Sequence, residues 1–158
     1  MPKEIERKFL VTNDNWKQHI NHQSHYLQGY LNNNQSNSIR IRITDEQANL
    51  NIKSATLGII RDEYDYQIPL DEAKEMLDKL CEQPIIEKTR YFVEDNDVTW
   101  EIDVFERENA GLIVAELELQ SVEQSFIKPD WVGEDVSDDP RYYNACLATY
   151  PYKNWPKN

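Results

Sequence analysis

The chain has 158 residues, 17 Lys and Arg against 29 Asp and Glu, a formal charge of −12 and 39% apolar residues, which suits one soluble domain with a modest core. So negative a chain repels nucleic acid and anionic bilayers, and any anionic ligand must find a local basic pocket. Cys81 and Cys146 are too few and too far apart for a disulfide framework, and four scattered glycines form neither a P-loop nor a GxGxxG cradle.

The amino-terminal Met-Pro-Lys-Glu-Ile-Glu-Arg-Lys lacks the apolar stretch of a signal peptide, and no apolar run approaches a membrane span. The expected location is therefore the cytoplasm. A strand is expected over 3–10, then a short helix from Thr12 to Gln23 entered through Thr12, Asn13 or Asp14. Strand signals follow at 25–32, 38–44, 48–54 and 59–68, separated by turn clusters such as Asn32–Ser38. Met76, Leu77 and Leu80 at helical spacing, with Pro69 before and Pro84 after, predict a helix over Asp71–Glu82. Strands are expected again at 86–94, 98–106 and 112–121, which makes eight. From Asp130 the tail reads as loop until a last helix near Arg141–Thr149, and Lys153–Asn158 reads as a loose end. No repeat or linker divides residues 1–158, so one α+β domain is expected, a mainly antiparallel sheet flanked by short helices.

Successive side chains on a strand point to opposite faces, so listing every second residue sorts each strand. One face collects Glu4, Glu6 and Lys8; Arg40 and Arg42; Lys53; Arg61, Glu63 and Asp65; Lys88 and Arg90; Glu101 and Asp103; Glu116 and Glu118. The other collects Ile5, Phe9, Ile39, Ile41, Ile43, Leu50, Ile52, Tyr64, Tyr66, Ile68, Tyr91, Val93, Trp100, Ile102, Val104, Leu117 and Leu119, and is expected to be buried. An ordinary sheet with one wet face would also alternate in this way. Wet faces, however, mix Thr, Ser and Gln among their charges, whereas this one is nearly all ionic and segregates acids and bases by strand. Eight strands suffice to close a barrel holding a small ligand. Buried charges need partners, water or metal, so an ionic lumen is a site. Its cations suit a small polyanion and its carboxylates suit hard divalent cations, a combination met by a phosphate chain carried with Mg²⁺ or Mn²⁺.

Glu4-Ile5-Glu6-Arg7-Lys8 matches the ExExK signature of the CYTH superfamily, the triphosphate tunnel metalloenzymes. Gln28-Gly29-Tyr30-Leu31, Ile39-Arg40-Ile41-Arg42, Ile52-Lys53, Arg61 to Asp65, Lys88-Thr89-Arg90-Tyr91, Trp100-Glu101-Ile102-Asp103, Gly111 to Leu119 and Tyr143-Asn144 follow that family's order, so the chain resembles it from residue 4 to about 147. The resemblance implies an eight-stranded antiparallel tunnel. It also implies that Glu4, Glu6, Glu116 and Glu118 are the main metal ligands, with Glu63, Asp65, Glu101 and Asp103 as further ligands or holders of the metal's water. Lys8, Arg40, Arg42, Lys53, Arg61, Lys88 and Arg90 would bind phosphate oxygens, and Lys8, Arg40, Arg42, Lys53 and Glu118 would act at the reacting phosphate. Glu106-Arg107 stands where many relatives have glycine after the seventh strand, which puts the shape of that turn in question.

The compact chain resembles the small bacterial inorganic triphosphatases, which implies hydrolysis of triphosphate to pyrophosphate and phosphate with Mg²⁺ or Mn²⁺, two ions per site. An adenylyl cyclase of the class IV type and a noncatalytic polyphosphate or nucleotide sensor are the alternatives. No run specifies adenine, and a sensor could dispense with part of the acidic set. The expected partner is a small-molecule triphosphate, with neither nucleic acid nor membrane, and the chain a monomer or homodimer. His19, His22 and His25 read as surface histidines rather than metal ligands, since their spacing crosses the end of the expected helix without a nearby carboxylate. Glu134, Asp135, Asp138 and Asp139 lack the pattern of a calcium loop, and the four tryptophans read as packing or tunnel-mouth cover.

Overall fold

A computed structural model, which describes residues 3–34, 36–54 and 59–156, shows a closed antiparallel barrel. Its strands are β1 (Lys3–Val11), β2 (Ile20–Asn33), β3 (Asn37–Thr44), β4 (Gln47–Ser54), β5 (Ile60–Ile68), β6 (Ile86–Asp95), β7 (Val98–Phe105) and β8 (Ile113–Glu118). Round the barrel the order is β5-β4-β3-β2-β6-β7-β8-β1, and β1 closes on β5 through Lys3↔Asp62, Glu4↔Arg61 and Ile5↔Ile60. Asn96 and Asp97, both at positive φ, form the two-residue turn between β6 and β7, matching the right-handed twist of the hairpin.

Two helices cover part of the outside, α1 (Leu70–Lys79) and α2 (Asn144–Thr149). The first buries Ala73 and Leu77 against Ile41, Ile43 and Ala48. Gly29 lets β2 and the chain just after α1 approach this closely, because a Cβ there would lie 2.9 Å from Cys81 Cβ. A second apolar layer joins Phe9, Trp16, Val93, Trp100, Ile102, Leu117 and Trp131, with Trp100 edge-on to Phe9 and Trp131. Burial of each such side chain contributes roughly 1.5–3 kcal/mol. This outer shell holds the strands while leaving their charged face inward.

Several expectations change. Thr12–Gln23 is no helix: a single 3-10 turn at Asn15–His19 leads directly into β2. Pairing with β6 from Ile20↔Val93 to Gln28↔Ile86, with His22 stacked on Phe92 at 4.2 Å, outweighs the local helical signal. Within the expected loop after Asp130 lies a short ninth strand, β9 (Val132–Asp135), which pairs with Phe9 and Val11 of β1. Arg7 and Asp135 form an ion pair across that contact. The last helix is shorter than expected and is preceded by a 3-10 turn at Pro140–Tyr142. Trp155, expected in a loose end, is buried edge-on to Tyr142 and Tyr152, while Lys157 and Asn158 lie outside the described residues. The second face is not buried throughout, since Tyr66 on β5 is 55% exposed. Arg107, at the turn whose shape the sequence put in question, sits at φ 54, the left-handed region that glycine occupies without strain.

Candidate active site

Residues directly opposed across neighbouring strands share a face. Lys8↔Glu116↔Glu101, Glu6↔Glu118, Glu4↔Arg61, Lys53↔Glu63 and Arg90↔Asp103 are therefore forced onto one side by the register. Of the charged residues expected to face inward, all but Asp103 line one cavity of about 460 Å³ inside the barrel. Glu118 and Asp65 are its more exposed members, and Lys8, Arg40, Lys88, Arg90 and Glu116 are buried.

The two signs hold each other. Lys53 Nζ and Arg61 Nη2 donate to Glu4 Oε1 at 3.2 and 3.1 Å. Lys8 Nζ donates to Glu116 Oε1 at 2.9 Å, and Arg90 Nη2 to Glu116 Oε2 at 3.3 Å. Burial alone would raise Glu4, but Lys53, a hydrogen bond from Glu63 and Arg61 hold it down at about 2. Glu116 is likewise held well below the carboxylate range against its burial, chiefly by Lys8 and Arg90. Glu6 goes the other way, to about 8, because burial and the neighbouring Glu116 and Glu4 oppose its charge.

That contrast bears on metal. Glu6, Glu101 and Glu116 each offer an oxygen, and the three lie within 4.8 Å of one another. Glu101 is also raised, by burial with Glu116 and Asp103. Burial and like charge favour the protonated form of Glu6 and Glu101 beside the ionised Glu116, a cation brought there would favour their charged forms, and an all-oxygen set suits a hard divalent ion. The donor set therefore fits a metal. Glu4 was expected in that set; it lines the same cavity and faces Lys53 and Arg61, as Glu116 faces Lys8 and Arg90. Asp103 was expected among the further ligands, yet it is fully buried beneath the cavity wall with both oxygens committed, to Lys88 Nζ at 2.7 Å and to Arg90 Nε and Nη2 at 2.7 and 2.9 Å.

Comparison with known proteins shows the family. The CYTH domain model matches residues 2–143. The chain belongs to the CYTH domain family. It is 45% identical over 155 residues to an inorganic triphosphatase of Acetivibrio thermocellus, covering 98% of this chain and 99% of that one. To an inorganic triphosphatase of Nitrosomonas europaea it is 38% identical over 149 residues, 92% of this chain and 96% of that one. A crystal structure of an inorganic triphosphatase superposes with a TM-score of 0.67 at 35% identity, covering 99% of each chain.

This CYTH domain also places uncharged groups in or beneath the wall that a search for charge passes over. Asn51 Oδ1 accepts from Arg40 Nε and Nη2 at 3.1 and 2.8 Å, and Asn49 Nδ2 donates to Asp65 Oδ1 at 2.8 Å. Asn144 Oδ1 takes Lys88 Nζ at 2.9 Å and Gln28 Nε2 at 3.2 Å. Asn49 and Asn51 share the period of Lys53, so the alternation that found the lysine also marks them. Tyr26, Gln28 and Tyr30 alternate on β2 with Leu27 and Gly29 in the same way, but carry no charge. Outside the barrel, His25 Nε2 lies 2.6 Å from Glu87 Oε2, so the carboxylate not expected beside the histidines is present. The same Glu87 also accepts from Arg107 Nε at 2.5 Å. No helix among the described residues is long and apolar enough to cross a membrane.

Proposed function

We propose that this chain hydrolyses inorganic triphosphate to pyrophosphate and phosphate, using Mg²⁺ or Mn²⁺, two ions per site during turnover. The observation that carries this reading is one cavity inside the barrel lined by all the expected cations together with a close group of three carboxylates. The likeness to inorganic triphosphatases over nearly the whole chain supports it.

Lys8, Arg40, Arg42, Lys53, Arg61, Lys88 and Arg90 would take the phosphate oxygens, with Arg40 steadied by Asn51 and Lys88 by Asp103 and Asn144. Glu6, Glu101 and Glu116 would hold a metal ion, with Glu4, Glu63, Asp65 and Glu118 as further acidic groups of the wall. When bound, the divalent cation neutralises charge on adjacent phosphates and acts as a Lewis acid on them. Fixed cations of the wall carry the charge that develops as the bridging P–O bond breaks, a bond from water oxygen to the terminal phosphorus forms and a proton leaves the water. No side-chain nucleophile is needed. The chain would act on this small molecule in the cytoplasm, as a monomer or homodimer.

The deciding experiment is a panel of inorganic triphosphate, thiamine triphosphate, ATP and pyrophosphate with purified protein and Mg²⁺ or Mn²⁺, following phosphate and cyclic AMP together. Phosphate release from inorganic triphosphate is expected. Stoichiometric cyclic AMP from ATP would replace this reading with a cyclase, and tight binding without any product would replace it with a sensor.

A further inference from the structure

Resting on the tunnel as a triphosphate site, we propose that Tyr26 is a positioning residue whose ring seats Arg42, Arg90 and Lys88 for the phosphate chain. Its centroid lies 4.8 Å from Arg42 Cζ, 5.0 Å from Arg90 Cζ and 5.7 Å from Lys88 Nζ. Tyr26 is 6% exposed and is not among the residues lining the cavity, so it stands behind the cations rather than against a ligand. The strand register explains the convergence. Position 26 of β2 pairs with Thr44 on β3 and with Lys88 on β6, between the two strands that carry these cations.

Three positive groups around one ring repel one another. Asp103 offsets two of them, Lys88 and Arg90, but it does not reach Arg42. Among the described residues Arg42 forms no carboxylate ion pair, and its buried Nε has no hydrogen-bond partner. Burial and the neighbouring Arg40 and Arg90 press its pKa down to about 10. The negative face of an aromatic ring attracts a guanidinium from behind, most strongly where water is excluded. A carboxylate in that place would have to be displaced and would repel the incoming polyanion. The ring does neither, and leaves the guanidinium's donors available to phosphate.

The test uses the full chain, with calorimetric binding of inorganic triphosphate in metal-free buffer, and kinetics with Mg²⁺ for comparison. Tyr26→Phe keeps the ring and should bind within about twofold of wild type, whereas Tyr26→Leu should weaken binding by about tenfold or more. KM should rise more than kcat falls. In an Arg42→Ala background the Tyr26→Leu loss should shrink, because part of it acts through that guanidinium while the contacts to Arg90 and Lys88 remain. Phenylalanines of increasing fluorine content at position 26 keep the shape while draining the ring face, and affinity should fall stepwise. Wild-type affinity in Tyr26→Leu, an undiminished loss in the Arg42→Ala background, or a flat fluorine series would overturn the assignment. The fluorine series decides alone if Tyr26→Leu does not fold. A wild type that neither binds nor hydrolyses triphosphate would overturn the proposed function and this assignment with it, while a wild type that does both leaves only the ring's role in the balance.

Discussion

Arg90 and Asp103 are joined by two parallel hydrogen bonds, Nε to Oδ1 at 2.7 Å and Nη2 to Oδ2 at 2.9 Å, in a pair with no exposure at the carboxylate. A forked pair of this kind fixes the direction of the guanidinium as well as its charge. Asp103→Asn should therefore loosen Arg90 and Lys88 and weaken triphosphate binding by roughly 10- to 100-fold, the equivalent of one or two charge-assisted hydrogen bonds. Half-saturating Mg²⁺ should hardly change. Glu101→Gln should do the reverse, so metal titrations of the two variants separate an anchor from a ligand. A large shift in Mg²⁺ requirement for Asp103→Asn would contradict the anchor role.

Removal of metal should abolish turnover, with Mg²⁺ or Mn²⁺ restoring it, because the ion that Glu6, Glu101 and Glu116 would hold is the Lewis acid on the phosphates. Glu6→Gln should lower kcat by orders of magnitude without unfolding the protein, since it removes one ligand and also the like-charge repulsion within the group. Phosphate release in excess EDTA is the measurement, and undiminished turnover there would refute the metal reading.

Substrate length should matter more than the group attached to it. The wall presents phosphate-seeking cations in number, so inorganic triphosphate should be at least as good a substrate as ATP. Pyrophosphate forfeits charge-assisted bonds to two or three cations at about 1.5–3 kcal/mol each, so it should be poorer by roughly a hundredfold or more. Ratios of kcat/KM at matched free Mg²⁺ test this, and comparable values for pyrophosphate and triphosphate would contradict it.

Lys88 gives a pH signature. Burial, with Arg90 nearby, pulls it from 10.5 to about 8 although Asp103 opposes the shift. Between about 8 and 10.5 the unfolded chain holds more protons at this site than the folded chain, so rising pH favours the folded state there. Wild-type stability relative to Lys88→Met should accordingly rise across that window, by on the order of 3 kcal/mol, and stay level below it. Urea unfolding of both proteins in the ligand-free state measures the difference, and a constant difference across the window would count against a depressed Lys88.

The inward set was legible because its members are ionic and strands seldom carry Asp, Glu or Lys without cause. Glu6, Glu101 and Glu116 needed only a period of two to fall on one face. Tyr26 and Gln28 obey the same period, but an aromatic and an amide are equally at home in a core, so nothing local distinguished them. The missing helix at 12–23 has a different cause. Residues 20–23 owe their extended form to β6, about seventy positions away, and no window of local sequence contains that partner. The commitments of Glu4 and Asp103 were hidden for a related reason, since composition shows that a carboxylate faces inward but not which cation reaches it first.

The barrel closes along a single short seam, and Glu4 faces Arg61 in the middle of it, joined side chain to side chain at 3.1 Å. One of the side-chain stitches across that seam is thus made from two of the groups that line the interior, beside the more exposed Lys3–Asp62 pair. Whatever occupies the lumen and draws on Arg61 acts on the fastening too, so loading the tunnel and keeping it shut are one equilibrium. A bound polyanion with its cation would replace this inner stitch by a bridge spanning both edges, and the hoop would be tightest when it is full.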